Sequence, residues 1–378
     1  MSISPYRRSY IWRTHSSSLR TFDVRVKSIP LVFMENIDRA RMSKNVLLYL
    51  PLEKLTSITV SSLNLIHSTV QHSTRSLTIL VDCPDILTHE KLPIVVWEEV
   101  QELLSTIYVK ATKAAQEAKR PLLDVDVLFK DWCGYNFALD KEREYTCWVS
   151  LSKHEQSLAS FNSQRENAGL NPIPVYIIPE EKVGVEKLPV GENLQENIVG
   201  TTRISNTDKY YPNVAVGGTF DHLHAGHKIL LTMSAWLTGV RLICGVTGAE
   251  MLTKKKYAHL VQPLETRIKE TQRFLNRIRL GLVYEVVPIH DTCGPTSEDP
   301  DIQAIVVSKE TLPGAYEINK QRSSRSYEEL DIKVIEVISN SSKALAEDEL
   351  KHLKLSSTQI REYLELHPDI KESLYSDL

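Results

Sequence analysis

Short apolar runs alternate with longer helical patterns along most of the chain. In the first half, Val46–Tyr49, Leu77–Val81 and Val125–Phe129 have the length and composition of β-strands, and the amphipathic stretch Val95–Ala118 predicts a long helix. This alternation predicts an α/β domain over residues 45–178. It shows no phosphate loop, metal cluster or nucleophile motif, so its role stays open.

The second half predicts a separate α/β domain. Residues 179–212 are polar and weakly periodic, which is typical of an exposed linker. Strand-like runs then follow at Val214–Val216, Arg241–Val246, Val283–Pro288, Ala304–Val307 and Ile332–Ile338. Helix-length connections between them favour a doubly wound parallel sheet, Rossmann-like, over residues 213–366, with 367–378 as a tail. Such sheets bind ligands at the carboxyl ends of their strands.

Composition and charge narrow the partners. The 378 residues, 42% of them hydrophobic and 25% charged, suffice for two domains with separate cores. A formal net charge of -3 provides no broad basic surface for nucleic acid or an acidic membrane. No apolar run approaches the roughly 20 residues that span a bilayer. The five cysteines lack a C-x-x-C pair, which indicates a reducing compartment, either the cytoplasm alone or the cytoplasm together with the nucleus.

Residues 1–44 predict an extension outside the domains. The first 33 residues contain five arginines, several serines and a single acidic residue, Asp23, a pattern similar to a mitochondrial presequence. A flexible extension is the alternative, because Met34 and Met42 both offer later starts. The location is therefore cytoplasmic, with mitochondrial targeting as the second hypothesis.

The segment from Gly217 to His227 carries the clearest chemistry. It lies directly between a predicted strand and a predicted helix. Gly217 and Gly218 permit close approach of the backbone to a ligand. His224 and His227 lie three residues apart at a helix start, so both rings project from one face beside free N–H groups and the positive end of the helix dipole. An anion is the expected guest.

Three more residues of this segment support a nucleotide site. Gly226 leaves room for a nucleotide against the backbone, and the Thr219 hydroxyl can donate to a phosphate oxygen. Phe220 and Asp221 complete the G-G-T-F-D sequence. Taken alone, the two histidines also fit a metal site or unrelated polar residues at a helix cap. The strand–turn–helix context favours phosphate binding.

This combination resembles the H-x-G-H nucleotidyltransferase superfamily over about Asn213 to Leu366. Segments Leu242–Thr247, Gln262–Arg267 and Val306–Thr311 are similar to the eukaryotic phosphopantetheine adenylyltransferase family. In many animals that domain is fused to a kinase, but nothing after Thr358 resembles a G-x-x-x-x-G-K-[ST] loop. The resemblance is therefore to the monofunctional, fungal form.

A second signature lies near the carboxyl terminus. Ser356 followed by Gln359 predicts a capping box and a helix that runs to about Leu366. The hydroxyl groups of Ser357 and Thr358, with the exposed N–H groups of the helix start, can hold the β- and γ-phosphates. Arg361, one turn further, adds positive charge. An ordinary capped helix is the alternative.

The resemblance also implies a lysine over the reacting phosphates, and Lys255 aligns best with it. A lysine triplet is otherwise a solvated surface feature, and Lys254 and Lys256 stay open as alternatives.

One departure from the family concerns the substrate-binding cation, because bacterial members have an arginine-rich loop where this chain has Ser308–Thr311, with Arg322 and Arg325 further on. The cation that grips the substrate in residues 308–325 therefore stays open.

The resemblance implies a reaction. AMP is transferred from ATP to 4'-phosphopantetheine by in-line attack, with dephospho-coenzyme A and pyrophosphate as products, and Mg²⁺ arrives with ATP rather than on protein ligands. His224, His227, Thr219 and Lys255 are the expected catalytic residues. Two alternatives remain: another phosphorylated acceptor such as nicotinamide mononucleotide, glycerol phosphate or phosphocholine, or a scaffold that contacts other coenzyme A enzymes through residues 45–178. A class I aminoacyl-tRNA synthetase is excluded, because length, basic surface and a K-M-S-K-S sequence are missing.

Overall fold

The protein contains two parallel β-sheets, one in each half of the chain. The computed structural model describes residues 32–33, 43–140, 144–184, 210–335 and 356–370. Both sheets are flanked by helices, and every strand pair in them is parallel. The predicted α/β class, with a doubly wound sheet in the second half, is confirmed.

The amino-terminal sheet has the strand order β1-β6-β5-β2-β3-β4. Its strands are β1 (Val32–Phe33), β2 (Ser43–Pro51), β3 (Ser73–Asp82), β4 (Asp124–Phe129), β5 (Cys147–Leu151) and β6 (Val175–Ile178). Its helices are α1 (Val60–His72), α2 (Pro84–Thr88), α3 (Trp97–Glu117) and α4 (Glu155–Asn167). The three predicted strands correspond to β2, β3 and β4, and the predicted long helix to α3.

The carboxyl-terminal sheet has the order β11-β10-β7-β8-β9. Its strands are β7 (Tyr211–Gly218), β8 (Thr238–Thr247), β9 (Val283–Ile289), β10 (Ala304–Ser308) and β11 (Asp331–Ile335). Its helices are α5 (Ala225–Leu237), α6 (Leu264–Ile278), α7 (Leu312–Ser324) and α8 (Ser357–Leu366). The chain runs from β7 to β8 on one side and reaches β10 on the other, so a crevice opens at the carboxyl end of β7.

Two boundaries differ from the expected ones. Val32–Phe33 lies inside the expected extension, yet it forms a strand beside β6. The start of the expected linker is fixed to α1, because Asn64 and Ser61 donate to the carbonyls of Val183 and Gly184. Polar composition alone gave no sign of these contacts. Residues 185–209 of the linker, most of residues 1–44 and residues 371–378 of the tail lie outside the described residues.

The carboxyl-terminal half has an apolar cluster of its own, and a larger apolar cluster continues through both halves. The cause is the contact between α3 and α5, and an aromatic cluster beside it. The ring of Trp236 on α5 is fully buried, with its centroid 5.2 Å from that of Trp132 and 6.1 Å from that of Phe129. Because Trp132 and Phe129 belong to the first half, that half supplies the apolar surface that buries the Trp236 indole.

All five cysteines are buried and unpaired. Within the described parts of the chain, no helix has the length and apolar character needed to cross a membrane.

Candidate active site

The connection from β7 to α5 is a tight turn with unusual backbone geometry. Phe220 and His222 have φ values of +50° and +47°, a region that non-glycine residues occupy at a cost. The Phe220 ring is fully buried, and an added Cβ at Gly218 would lie 3.0 Å from it. Glycine is therefore needed at position 218 so that this ring can fold under the turn. Strain held by surrounding contacts is common at functional sites.

The paired histidines lie at the start of α5. His224 is the N-cap residue, and no side chain caps the helix. The rings of His224 and His227 stack, with centroids 3.9 Å apart and planes inclined by 26°. An added Cβ at Gly226 would lie 3.2 Å from Cε1 of His224, so this glycine also leaves space for the imidazole. The Nδ1 atoms of both rings are buried and lack a partner among the described residues.

Both imidazoles are neutral at pH 7. Burial, with smaller contributions from the charges of Lys228 and His222, lowers the pKa of His224 to about 3. Burial also lowers the pKa of His227 well below its usual value, and charges at His224, Lys255 and His222 lower it further. A neutral ring still has one N–H donor, so the pair offers hydrogen bonds to phosphate oxygens without adding charge of its own.

The depressed pKa values predict acid sensitivity. In the unfolded chain, histidine takes up a proton as the pH falls below about 6.5, whereas the folded chain keeps His224 neutral down to much lower pH. Stability that is present above pH 6.5 is therefore lost between pH 6.5 and about 3. Because the rings are partly open to solvent, we expect His224→Asn to reduce this loss by only about 1 kcal/mol between pH 7 and pH 5.

Urea unfolding of both proteins at the two pH values measures this difference. An equal loss of unfolding free energy in the wild type and in His224→Asn would contradict the lowered pKa of the His224 imidazole.

Asp221 joins the turn to the carboxyl-terminal helix α8. The side chain is fully buried, and its Oδ1 accepts from the backbone N–H of Gln262 at 2.8 Å. The other carboxylate oxygen accepts from the guanidinium of Arg361. The Oγ of Ser357 donates to the backbone carbonyl of Asp221 at 2.9 Å. The first motif and the second signature, which are about 135 residues apart in sequence, therefore meet in the fold.

The amino end of α8 has the predicted capping box. The Ser356 side chain accepts from the backbone N–H of Gln359, and the Gln359 side chain accepts from the backbone N–H of Ser356. Arg361, which is almost fully buried, also donates to Oγ1 of Thr358 at 3.2 Å and to the carbonyl of Lys256 at 3.1 Å. These contacts orient Thr358 and hold the loop that contains Lys254–Lys256 (the lysine loop) against α8.

Arg267 is a site residue for which the sequence suggested no role. It is almost fully buried, and its Nη1 donates to the carbonyls of Thr219 and Thr247, both at 2.8 Å. One guanidinium thereby joins the ends of β7 and β8. The signal in the sequence that could have indicated its burial is its helical spacing. Arg267 lies on the same buried face of α6 as Thr271, Phe274 and Ile278.

Two lysines of the triplet, Lys255 and Lys256, differ in their contacts. The amino group of Lys256 lies 3.4 Å from Glu362 and 4.8 Å from the centre of the Tyr257 ring. Lys255 is exposed, and its charge acts on His227. Lys256 is thus turned toward α8, whereas Lys255 is close enough to His227 for its charge to lower the pKa of that imidazole.

The cations of residues 308–325 also differ in their contacts. The Arg322 guanidinium is fully buried and donates to five backbone carbonyls, so it serves the fold between the segment at 296–302 and α7. Arg325 donates to the carbonyl of Ser297. Lys309 is exposed and follows the carboxyl end of β10. The turn Gly217–His227, called the histidine turn below, lies at the same edge of the sheet.

Most of the predicted site residues lie in one region. Eight lie on the turn and at the start of α5, and four lie at the start of α8: Gly217, Gly218, Thr219, Phe220, Asp221, His224, Gly226 and His227, and Ser356, Ser357, Thr358 and Arg361. Asp221 and Arg361 differ from the rest, because their charged groups are engaged with each other and with the protein.

The site belongs to a recognised class of fold. Residues 215–363 match the cytidylyltransferase-like family. Together with the parallel sheet and the paired imidazoles at the carboxyl end of its first strand, this match defines the second half of the chain as a nucleotidyltransferase domain.

Individual relatives narrow the class. Phosphopantetheine adenylyltransferase of Saccharomyces cerevisiae is 39% identical over 180 residues, 48% of this chain and 56% of the relative. The enzyme of the same name from Pyrococcus furiosus is 41% identical over 132 residues, 34% of this chain and 80% of the relative. An uncharacterized protein of Schizosaccharomyces pombe is 30% identical over 293 residues, 78% of this chain and 87% of the relative.

The chain therefore belongs to the phosphopantetheine adenylyltransferase family, and the resemblance seen in the sequence is confirmed. The match spans little more than half the length of the yeast relative.

Proposed function

We propose that the protein transfers AMP from ATP to 4'-phosphopantetheine, giving dephospho-coenzyme A and pyrophosphate. The supporting observation is the meeting of the histidine turn and the hydroxyl-bearing start of α8 through Asp221 and Ser357. Two helix amino ends, each with first-turn N–H groups that have no carbonyl partner within the helix, suit the two ends of one triphosphate. The names of the relatives agree with this acceptor.

The nucleophile is the phosphate of the acceptor, which is ionised at neutral pH, so no general base is required. Catalysis rests on position and on stabilisation of charge. As the acceptor phosphate attacks the α-phosphorus of ATP in line, charge grows on the α-phosphate oxygens. His224, His227, Thr219 and Lys255 donate to those oxygens. The bond to the departing pyrophosphate breaks on the opposite side.

The start of α8 receives the pyrophosphate. The hydroxyl groups of Ser357 and Thr358 and the first N–H groups of the helix donate to the β- and γ-phosphates. Arg361 serves this step by orienting Thr358 and Asp221, since its guanidinium is buried between them. It thus acts as a positioning residue in this proposal.

Mg²⁺ accompanies ATP. The site residues fit a metal carried by the nucleotide, because the facing donors are imidazoles, hydroxyls and a lysine, and both carboxylate oxygens of Asp221 are engaged by protein donors. Mg²⁺ keeps several water ligands and binds readily through phosphates. When bound, it neutralises phosphate charge.

An acceptor assay tests the proposal. Pyrophosphate release is measured with ATP or CTP and each of four acceptors: 4'-phosphopantetheine, nicotinamide mononucleotide, glycerol phosphate and phosphocholine. We expect kcat/KM for ATP with 4'-phosphopantetheine to exceed every other pair by at least about a hundredfold, because a polar site rejects groups that leave its donors unpaired. Preference for another acceptor or for CTP would contradict the assignment within the superfamily.

A further inference from the structure

Lys228 is a buried charge directly behind the catalytic pair. It follows His227 on α5, is 4% exposed and is succeeded by the apolar run Ile229–Leu231. Burial of an ammonium group without partners is strongly unfavourable. A lysine at this position therefore requires acceptors that another part of the fold brings to it.

Those acceptors come from the amino-terminal domain. The Lys228 amino group donates to Oδ1 of Asp124 at 2.5 Å, to the carbonyl of Val125 at 2.8 Å and to Oδ1 of Asp126 at 2.7 Å. All three donors of the ammonium are thus satisfied by β4. Burial alone lowers the pKa of Lys228, but Asp124 and Asp126 outweigh it and raise the pKa, so the lysine stays charged.

The same strand also holds the next helix. Oδ2 of Asp126 lies 3.0 Å from Nε of Arg277 on α6, and Arg277 donates to Oγ1 of Thr78 at 3.0 Å and to the Tyr145 hydroxyl at 2.8 Å. Lys228, Asp126 and Arg277 form a buried chain of charges across the domain boundary. Such chains act as units with a definite geometry, because each member is costly to leave unpaired.

The far end of α5 has an independent contact with the same domain. The indole Nε1 of Trp236 donates to the carbonyl of Pro93 at 2.9 Å. The amino-terminal domain therefore forms hydrogen bonds with both ends of α5, but the two histidines lie only at the Lys228 end. The Trp236 contact can therefore serve as the reference for a purely structural role, and the Lys228 contact as the one next to the catalytic residues.

We propose that Asp124 and Asp126 are positioning residues of the active site and act through Lys228. By holding this lysine they fix the first turn of α5, the turn that carries His224 and His227. The amino-terminal domain then has a role in catalysis without touching substrate. This inference rests on the proposed function, since it concerns the residues that bind the triphosphate.

The full chain tests this inference with three substitutions. Asp124→Asn removes one of the two negative charges beside Lys228 at a side chain that is 37% exposed, and Lys228→Met removes the positive charge while keeping a long unbranched side chain. Trp236→Phe is the matched control, because it removes the contact at the other end of α5. Turnover, KM for ATP and urea unfolding are measured for each, with turnover expressed per folded molecule.

We expect kcat to fall by about a hundredfold in Lys228→Met and by at least about tenfold in Asp124→Asn, with a smaller change in KM, because misplaced groups cost most in the transition state. Combining the two substitutions should cost no more than Lys228→Met alone. Trp236→Phe should keep kcat within about twofold while unfolding more easily. Wild-type kcat in both test variants would overturn the inference.

Failure of the proposed function is distinct from failure of this inference. It would appear as no turnover of the unaltered chain with any acceptor. In that case the dissociation constant for ATP, measured by calorimetry, decides: a several-fold rise in Asp124→Asn and Lys228→Met but not in Trp236→Phe supports the positioning role, and equal values in all four proteins overturn it.

Discussion

Replacing His227 or Lys255 with alanine is expected to lower the rate of pyrophosphate release by about a hundredfold, which corresponds to about 3 kcal/mol of transition-state stabilisation. The reason is that each side chain donates to α-phosphate oxygens as charge grows on them. Turnover should fall far more than stability, because Lys255 is exposed and the His227 ring loses only its packing against His224 and Phe220, with no hydrogen bond at Nδ1 among the described residues. Steady-state turnover and urea unfolding separate the two effects.

Two neighbours provide matched controls. Lys254→Ala removes an adjacent exposed lysine of the same loop, and His259→Ala removes an exposed histidine whose Nε2 lies 2.9 Å from Glu365 on α8. Both should keep near-normal turnover. If His227→Ala and Lys255→Ala behaved like these controls, the two residues would have no catalytic role.

Replacing Arg361 with alanine is expected to lower the free energy of unfolding by about 3–5 kcal/mol, the usual cost of removing one partner of a buried ion pair. The change leaves the buried carboxylate of Asp221 without its guanidinium and frees the carbonyl of Lys256 and the hydroxyl of Thr358. Because these contacts dock α8 beside the histidine turn, turnover should also fall, with KM for ATP raised.

Chemical denaturation with and without ATP measures this effect. Arg273→Ala on α6 is the control, because Arg273 is 58% exposed and its ion pair within the described residues is with Glu270 one turn away, an arrangement that contributes little stability. A loss below about 1 kcal/mol in Arg361→Ala would show that the Asp221–Arg361 pair does not hold α8 in place.

The sequence was a good guide where the local pattern alone decides the structure. Residues 214–237 predicted a strand, a glycine turn and a helix, and β7 and α5 have this arrangement. The capping box of α8 was readable from Ser356 and Gln359, since both halves of that interaction lie within one turn. These features depend on neighbours along the chain.

The sequence was a poor guide where a residue depends on distant partners. Asp126 interrupts an apolar run and Lys228 directly precedes one, and a charge in such a place indicates burial that needs a counter-charge. Their pairing across about a hundred residues could not be inferred, because nothing local selects one partner among many. The same holds for Arg361, whose expected contact was phosphate and whose guanidinium lies instead against Asp221.

The continuous core between the two halves has a similar cause. The burial of Trp236 against Trp132 and Phe129 depends on how α3 and α5 meet. Each helix alone predicts only that an apolar face must be covered, and it does not identify what covers it.

A crystal structure of the full chain with a non-hydrolysable ATP analogue tests the central claim most directly. We expect the α-phosphate to lie within hydrogen-bond distance of His224 and His227, and the β- and γ-phosphates to lie against the hydroxyl groups and first N–H groups at Ser357 and Thr358. A triphosphate bound elsewhere, or one that contacts only one of these two helix starts, would contradict a single site formed by both motifs.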